Sequence, residues 1–219
     1  LSPPGFGAPV PDGFGATSDD YRDWLIAELE AIGGDPVDLV GHDWGGGHVQ
    51  RVVAARPELV RSWCTDIIGA ADPAYEWHDL AKVWQTPGEG EAFVEAMAGM
   101  PPADRAATFV DLGMTPAAAE ACAAAAGPDM NRCILTLYRS AAQPKMTEWG
   151  HELAAAERPP VLAIIATDDA YTGGPELARR QAEHYGMQVA VLEGLGHWWM
   201  MQDPPAGARV LRDFWAGLT

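Results

Sequence analysis

Side chains suited to nucleophilic catalysis lie a few residues after three apolar segments of the sequence: Asp43, Asp168 or Asp169, and His197. A nucleophile, an acid and a histidine base in this chain order are typical of one kind of catalytic triad. Such groups meet when the apolar segments are parallel strands, because active groups gather at the carboxyl ends of those strands. The sequence therefore predicts a triad whose nucleophile is an aspartate.

The sequence GHDWG around Asp43 has the G-x-D-x-G form of a nucleophile elbow, the sharp turn between a strand and a helix. Gly41 and Gly45 are expected to leave room where a Cβ would meet neighbouring backbone, and the backbone N–H of Trp44 is expected to stabilise an oxyanion. A second interpretation stays open, in which Asp43 only caps the helix that follows, a position where Asp is common.

An aspartate changes the chemistry expected of such an elbow. Attack of a carboxylate on an ester carbonyl would leave an anhydride, whereas an ionised carboxylate can displace a leaving group from a saturated carbon. The product would be an alkyl ester of Asp43, which water activated by His197 would hydrolyse. Epoxides and alkyl halides are substrates of the kind that this reaction requires.

Apolar runs that alternate with helical patterns predict an α/β fold with a parallel sheet. The predicted strands are residues 37–40, 60–68, 161–166 and 189–193, and the predicted helices are residues 18–32, 46–56, 176–185 and 206–218. The long segment between the second and third strands contains helical patterns broken by prolines and no strand pattern. We therefore predict an α/β core of residues 1–74 and 146–219, interrupted by an all-helical lid at residues 75–145.

The composition limits the classes of partner. The 219 residues carry a net charge of −17, which argues against nucleic acid or an anionic membrane as a partner. No apolar run approaches the ~18 residues of a membrane span, and the first residues show no basic-then-apolar pattern. Three cysteines, Cys64, Cys122 and Cys133, give no disulfide framework and indicate buried free thiols, so we expect a cytoplasmic protein.

Four motifs together resemble the α/β-hydrolase superfamily, in the branch with an aspartate nucleophile that contains soluble epoxide hydrolases and haloalkane dehalogenases. They are PPGFGAP near the N-terminus, VGHDWGG at the elbow, ATDDAYTG after the third strand and GLGHWWMMQDP after the fourth. The resemblance implies that Asp43 is the nucleophile and the Trp44 N–H an oxyanion donor. It likewise implies that Asp169 is the acid and His197 the base.

Two other carboxylates compete with Asp169 for the role of the acid. Asp168 is its neighbour in the sequence, and Asp66 lies near the end of the second predicted strand, where some dehalogenases of this superfamily carry their acid. Asp169 is favoured because it matches the G-x-x-D acid turn of the superfamily.

The predicted lid contains a candidate proton donor. The sequence LYRS at residues 137–140 is similar to a stretch of epoxide-hydrolase lids whose tyrosine hydrogen-bonds the epoxide oxygen. The resemblance makes Tyr138 the electrophile, because a phenol near pKa 10 can donate to the alkoxide formed on ring opening; packing inside the lid is the alternative. The second lid tyrosine has no clear counterpart, and Tyr75, Trp77 or His78 could replace it.

The resemblance implies hydrolysis of an epoxide to a vicinal diol, with a small apolar substrate, water, and no metal or organic cofactor. Trp198 is expected to wall an apolar cleft, and core packing explains it equally well. The first alternative is a haloalkane dehalogenase, in which the Trp44 indole N–H would bind the departing halide. The second is an inactive member that keeps the fold. The sequence leaves the oligomeric state open.

The superfamily has strands before the segment that corresponds to residue 1, and a His-Gly turn among them supplies a second oxyanion donor. We therefore expect a sheet truncated at its N-terminal side, with an open edge at residues 37–40. On this basis the chain as written is expected to associate and to have weak activity or none.

Overall fold

The computed structural model describes residues 1–218 as an alternation of strands and helices. In chain order they are α1 (Ser18–Ile32), β1 (Val37–Gly41), α2 (Trp44–Ala55), β2 (Val60–Thr65), α3 (Asp79–Gln85), α4 (Glu89–Gly99), α5 (Pro102–Asp111), α6 (Pro116–Ala125), α7 (Pro128–Ser140), α8 (Lys145–Ala155), β3 (Val161–Ala166), α9 (Gly174–His184), β4 (Gln188–Leu192), α10 (Trp199–Gln202) and α11 (Pro204–Ala216). Among these residues, no helix is both long and apolar enough to span a bilayer.

The strands form one parallel sheet in the order β1-β2-β3-β4. Val40 of β1 lies opposite Cys64 of β2, Cys64 lies opposite Leu162 of β3, and Ile164 of β3 lies opposite Ala190 of β4. Parallel neighbours need a crossover connection, and helices supply it between each pair. The predicted α/β fold with a parallel sheet is confirmed.

The central strand β3 explains why both faces of the sheet are covered. All six of its residues, VLAIIA, are buried. Val161, Ala163 and Ile165 belong to one hydrophobic cluster, and the alternate residues Leu162 and Ile164 belong to another. Because successive side chains of a strand point to opposite faces, each face of the sheet carries its own core.

Helices complete the two cores with apolar side chains. In the first cluster these come from α1, α2 and α8, and include Leu25, Leu29, Val52, Val53 and Leu153. In the second cluster they come from α10 and α11, and include Trp199 and Phe214. The core therefore anchors the strand ends that carry the candidate catalytic residues.

The chain divides into two compact units. One consists of Leu1–Tyr21 and His78–Ala142, and the other of Arg22–Trp77 and the chain from Gln143 onward. The whole sheet lies in the second unit, which we call the sheet unit, and α3 to α7 lie in the first, which we call the helical unit. The division into a core and a lid at residues 75–145 stays a prediction.

Polar contacts join the helices within the helical unit. The guanidinium of Arg139 on α7 donates to both carboxylate oxygens of Glu91 on α4, at 2.7 and 2.8 Å, and its Nε donates to the carbonyl of Trp84 on α3 at 3.2 Å. At the N-terminal loop, the hydroxyl of the buried Tyr21 donates to the carbonyl of Pro4 at 2.8 Å. The Arg139 contacts fix α7 against α3 and α4.

Two of the element boundaries that differ from those predicted lie next to the candidate site. β2 ends at Thr65 and not at residue 68, because Ile68–Ala71 form a 3₁₀ turn. This turn passes close to Thr172: a Cβ on Gly69 would lie 2.6 Å from the carbonyl oxygen of Thr172. Helix α2 begins at Trp44, two residues before the predicted start, because the chain bends at Asp43 itself. The short helix α10 was not predicted, since four residues are too few to show helical periodicity.

Truncation of Leu137, a fully buried side chain of α7, should destabilise the protein. We expect Leu137→Ala to lower the free energy of unfolding by about 2–5 kcal/mol, because a buried leucine leaves a cavity. Leu112→Ala removes the same atoms from a side chain that is 44% exposed, and should change it by less than about 0.5 kcal/mol. Equilibrium denaturation in urea measures both, and equal effects would contradict the described packing.

Candidate active site

Asp43 occupies a strained turn between the last residue of β1 and the first residue of α2. Its backbone has φ 50° and ψ −126°, a conformation that residues other than glycine rarely adopt. Such strain costs about 1–3 kcal/mol and persists only where the surroundings enforce it. Asp43 precedes α2, but its carboxylate makes no capping hydrogen bond to the described backbone. Its side chain is 40% exposed, so it is accessible from outside the core.

The glycines beside Asp43 permit the turn through close backbone contact. A Cβ on Gly41 would lie 2.6 Å from the Cα of Gly46 and would also overlap the carbonyl of Gly45. A Cβ on Gly46 would lie 2.6 Å from the Thr65 hydroxyl, whereas one on Gly45 would meet no described atom within 4 Å. The predicted need for glycine is confirmed at position 41 and wrong at position 45; Gly46 has that function instead.

His197 lies between two carboxylates. Its Nδ1 is 2.9 Å from Asp169 Oδ2, and its Nε2 is 4.0 Å from Asp43 Oδ1. Because the Asp169 carboxylate accepts from Nδ1–H, the neutral ring presents an unprotonated Nε2 towards Asp43. The longer distance exceeds a direct hydrogen bond, so this nitrogen is placed near the candidate nucleophile without being bonded to it.

The carboxylates around His197 favour its charged form. Burial by itself would lower the pKa of His197, but the hydrogen bond with Asp169 and the negative charges nearby outweigh burial and raise it above its ordinary value. Those charges belong to Asp43, Asp169 and Asp66. The imidazole is therefore electrostatically prepared to hold a proton.

The structure separates the three candidate acids. Asp169 is buried and bonded to His197. Asp168 is exposed, and its carboxylate accepts from the hydroxyl of Thr167 at 3.3 Å. Asp66 is buried at the end of β2, where it is bonded to His42 and not to His197. Among the three, only Asp169 makes the contact expected of the acid.

Aromatic rings from the sheet unit surround the elbow and the histidine. The ring of Trp44 is stacked on that of Trp77, with centroids 5.9 Å apart and an interplanar angle of 25°. The ring of Trp198 lies edge-on to His197 at 4.8 Å, and that of Tyr171 does so at 5.0 Å. The sheet unit therefore brings Trp77 and Trp198 to the same neighbourhood as the candidate triad.

Tyr75 is a poor candidate for a proton donor to substrate. Its hydroxyl donates to the backbone carbonyl of Tyr171 at 3.0 Å. Burial, together with the charges of Asp43 and Asp169, raises its pKa above the ordinary value of a phenol. This hydroxyl is thus occupied in tying two loops of the sheet unit together.

Tyr138 and His78 lie in the helical unit, where they are neighbours. The Tyr138 ring packs at 4.6 Å from Trp84 and lies edge-on to His78 at 6.3 Å. His78 caps α3, since its Nδ1 accepts from the backbone N–H of Ala81 at 3.2 Å. A neutral His78 therefore carries its proton on Nε2 and is a donor there.

Three side chains near the triad were not predicted to interact. They are His42, Trp199 and Asp66, of which the sequence singled out only Asp66, as an alternative acid. The structure joins them: Asp66 Oδ2 accepts from His42 Nδ1 at 2.6 Å and from Trp199 Nε1 at 2.8 Å. The buried position of an aspartate after a strand was the signal that could have shown this network. Within residues 1–218, no group of His, Cys, Asp and Glu could hold a metal ion.

Comparison with known proteins identifies the family. A sequence model described as "Alpha/beta hydrolase family" matches residues 1–210. The chain belongs to this family. The fold of this family agrees with the elbow and the histidine–carboxylate pair. No curated protein matches the sequence.

Solved structures share the α/β-hydrolase fold at low sequence identity. The haloalkane dehalogenase DbeA from Bradyrhizobium elkanii is 22% identical, with a TM-score of 0.73 over 98% of this chain and 79% of that chain. A meta-cleavage product hydrolase from Pseudomonas fluorescens is 18% identical, with a TM-score of 0.70 over 99% of this chain and 78% of that chain. An E-2-(acetamidomethylene)succinate hydrolase is 14% identical, with a TM-score of 0.68 over 91% and 74%.

Alanine at positions 41 and 45 should have opposite effects. We expect Gly41→Ala to lower the free energy of unfolding by about 1–3 kcal/mol, because the methyl group collides with backbone that cannot move independently. Gly45→Ala meets open space in the first turn of α2, and should be neutral or stabilising by up to about 1 kcal/mol. Thermal or urea denaturation distinguishes them, and equal stability of the two variants would contradict the described elbow.

Removal of the charge on Asp169 should lower the pKa of His197. NMR titration of the His197 imidazole in Asp169→Asn should give a value below that of the unmodified protein, whereas Asp168→Asn should leave it nearly unchanged. Because the folded pKa lies above the unfolded value of about 6.5, the imidazolium stabilises the fold fully below that pH, and the contribution is lost as pH rises through the folded pKa. Asp169→Asn should therefore destabilise the protein more at about pH 6 than at about pH 9.

Proposed function

We propose that this hydrolase opens epoxides to vicinal diols through a covalent ester of Asp43. The observation that carries the proposal is the position of an aspartate at the elbow, 4.0 Å from His197 Nε2, while Asp169 lies 2.9 Å from His197 Nδ1. The elbow thus holds a carboxylate, a group that can attack without a base to remove a proton from it. This favours displacement at a saturated carbon over acyl transfer.

In the first step, an oxygen of Asp43 attacks a ring carbon of the epoxide and the carbon–oxygen bond of the ring breaks. The electron pair of that bond goes to the epoxide oxygen, which takes the phenolic proton of Tyr138. His78 assists in place of a second tyrosine. Both groups come from residues 75–145, which we propose as the lid. The products are a hydroxyalkyl ester of Asp43 and a phenolate.

In the second step, water attacks the carbonyl carbon of the ester while His197 Nε2 takes its proton. The backbone N–H of Trp44 stabilises the oxyanion, and Asp169 stabilises the imidazolium. The tetrahedral intermediate releases the diol oxygen, which takes the proton from His197. The proton left on the Asp43 carboxyl returns to the phenolate of Tyr138. The balance is one epoxide and one water consumed for each diol.

A haloalkane dehalogenase is the second candidate. Two indoles, those of Trp44 and Trp77, lie next to each other in the sheet unit, and indole N–H groups can donate to a departing halide. Two of the solved structures with a similar fold are described as haloalkane dehalogenases: DbeA at 22% identity and a loop variant of it at 20%. The first two steps at Asp43 and His197 would be shared, and only the leaving group would differ. Trp198 would wall the site for a small apolar substrate in either case.

Replacement of the base should trap the ester. In His197→Gln the second step has no proton acceptor, so incubation with styrene oxide should leave one hydroxyalkyl group on the peptide that contains Asp43. Mass spectrometry of the intact protein and of its peptides measures this adduct. Asp43→Ala should abolish diol formation and the adduct, and a loss of rate by at least about 10⁴-fold is expected for a missing nucleophile.

A matched set of electrophiles separates the two candidate functions. Release of halide from 1-bromobutane, with no diol from styrene oxide, would reject the epoxide assignment in favour of the dehalogenase. If Asp43→Ala left every measured rate unchanged, the chain would be an inactive member of the family. Tyr138→Phe sharpens the distinction: it should slow epoxide opening and leave halide release intact.

A further inference from the structure

Asp66 lies at the junction of three segments that carry the candidate machinery. It follows the last residue of β2, and its side chain is 2% exposed. Its Oδ1 accepts from the backbone N–H of Asp43 at 3.0 Å. Its Oδ2 accepts from His42 Nδ1 at 2.6 Å and from Trp199 Nε1 at 2.8 Å. The Asp66 carboxylate therefore contacts Asp43 at the elbow, its neighbour His42, and Trp199 in the segment that follows His197.

The hydrogen bonds keep Asp66 ionised despite its burial. Burial by itself would raise the pKa of this carboxyl, but the donors and the charge of His42 outweigh it and hold the pKa below its ordinary value. An ionised, buried acceptor makes stronger hydrogen bonds than a neutral one. The hydrogen bonds from the three donors to the ionised Asp66 can therefore help to hold a strained backbone conformation.

The contact with the Asp43 backbone matters because that residue has the strained φ of 50°. A strained turn relaxes unless surrounding contacts hold it. Close packing at Gly41 holds one side of the bend, and the bond from the Asp43 N–H to Asp66 holds the other. Relaxation would move the nucleophilic carboxylate away from its line of attack.

The contact with Trp199 connects the same carboxylate to the base. Trp199 is two residues after His197 and is 4% exposed in the second core cluster. The His42 ring, held by Asp66, packs at 4.7 Å from the His197 ring. Asp66 makes no hydrogen bond with His197 in the described structure, because Asp169 already occupies Nδ1.

We propose that Asp66 is a positioning residue that holds the Asp43 elbow and the His197 loop at their working separation, and is not the acid partner of His197. This inference rests on the proposed ester mechanism. The positioning role and the acid role of Asp66 differ in the reaction step that Asp66 would affect. A positioning residue of the elbow limits ester formation, whereas an acid partner of His197 limits ester hydrolysis.

The test compares rates of ester formation in a background that cannot hydrolyse the ester. His197→Gln with styrene oxide gives the reference rate, followed by mass spectrometry of the adduct on Asp43. Adding Asp66→Asn should slow adduct formation by roughly 10- to 100-fold, since misplacement of a reacting group by about 1 Å has an effect of this size. Asp213→Asn, an exposed carboxylate on α11, is the matched control and should leave the rate unchanged.

The single variants distinguish the two roles directly. Asp66→Asn alone should turn over slowly without accumulating adduct, because ester formation then becomes the slower step. Accumulation of adduct in Asp66→Asn, as in Asp169→Asn, would overturn the proposal and make Asp66 the acid. An unchanged rate of adduct formation would overturn it as well.

Two further measurements test the positioning role of Asp66 if Asp66→Asn is unstable or if no adduct forms. Trp199→Phe removes one of the three donors and keeps the charge, so it should slow adduct formation by less than Asp66→Asn. Hydrogen exchange of the Asp43 amide, followed by NMR, should be faster in Asp66→Ala than in Asp213→Ala by at least about 10-fold. Absence of any adduct in His197→Gln rejects the proposed function. The exchange rates then test the positioning role of Asp66 by themselves, and equal rates in Asp66→Ala and Asp213→Ala reject that role.

Discussion

The strained turn at Asp43 is the constraint on which the rest of the structure depends. A positive φ at a residue with a side chain needs close backbone packing on one side and a strong acceptor on the other, and Gly41 and Asp66 provide them. The turn lets β1 end and α2 begin within three residues. It also leaves the carboxylate uncommitted to helix capping and partly exposed. Strand, helix and carboxylate are thus positioned by one local geometry.

Negative charge is concentrated around a single imidazole. Asp43, Asp66 and Asp169 all raise the pKa of His197, and two of the three are buried. Buried carboxylates are tolerated only when donors satisfy them. Asp169 has His197 and the backbone N–H of Tyr171, and Asp66 has three donors of its own. In the proposed reaction, esterification of Asp43 removes one of these charges, which lowers the proton affinity of the ring just before it must act as a base.

The sequence was informative where periodicity and glycine positions carry the signal. All four strands and the parallel order were predictable, because β3 is apolar throughout and helices separate the strands. The pairing of Asp169 with His197 followed from the motifs. The network of Asp66 was not predictable, because its donors come from residues 43 and 199, far apart in the chain, and a hydrogen bond to a backbone N–H leaves no mark on residue type. The requirement for glycine at position 46 was missed for a similar reason, since the Thr65 hydroxyl that excludes a side chain belongs to another strand.

The way in which Asp66 holds the elbow has a consequence for how such a site can change its chemistry. It binds the main chain of residue 43 and not its side chain. The bend is therefore independent of which functional group projects from it, and a side chain of another type could replace the Asp43 carboxylate without rebuilding the scaffold. Reaction type and backbone geometry are separable traits here, and one can diverge over evolutionary time while the other is conserved.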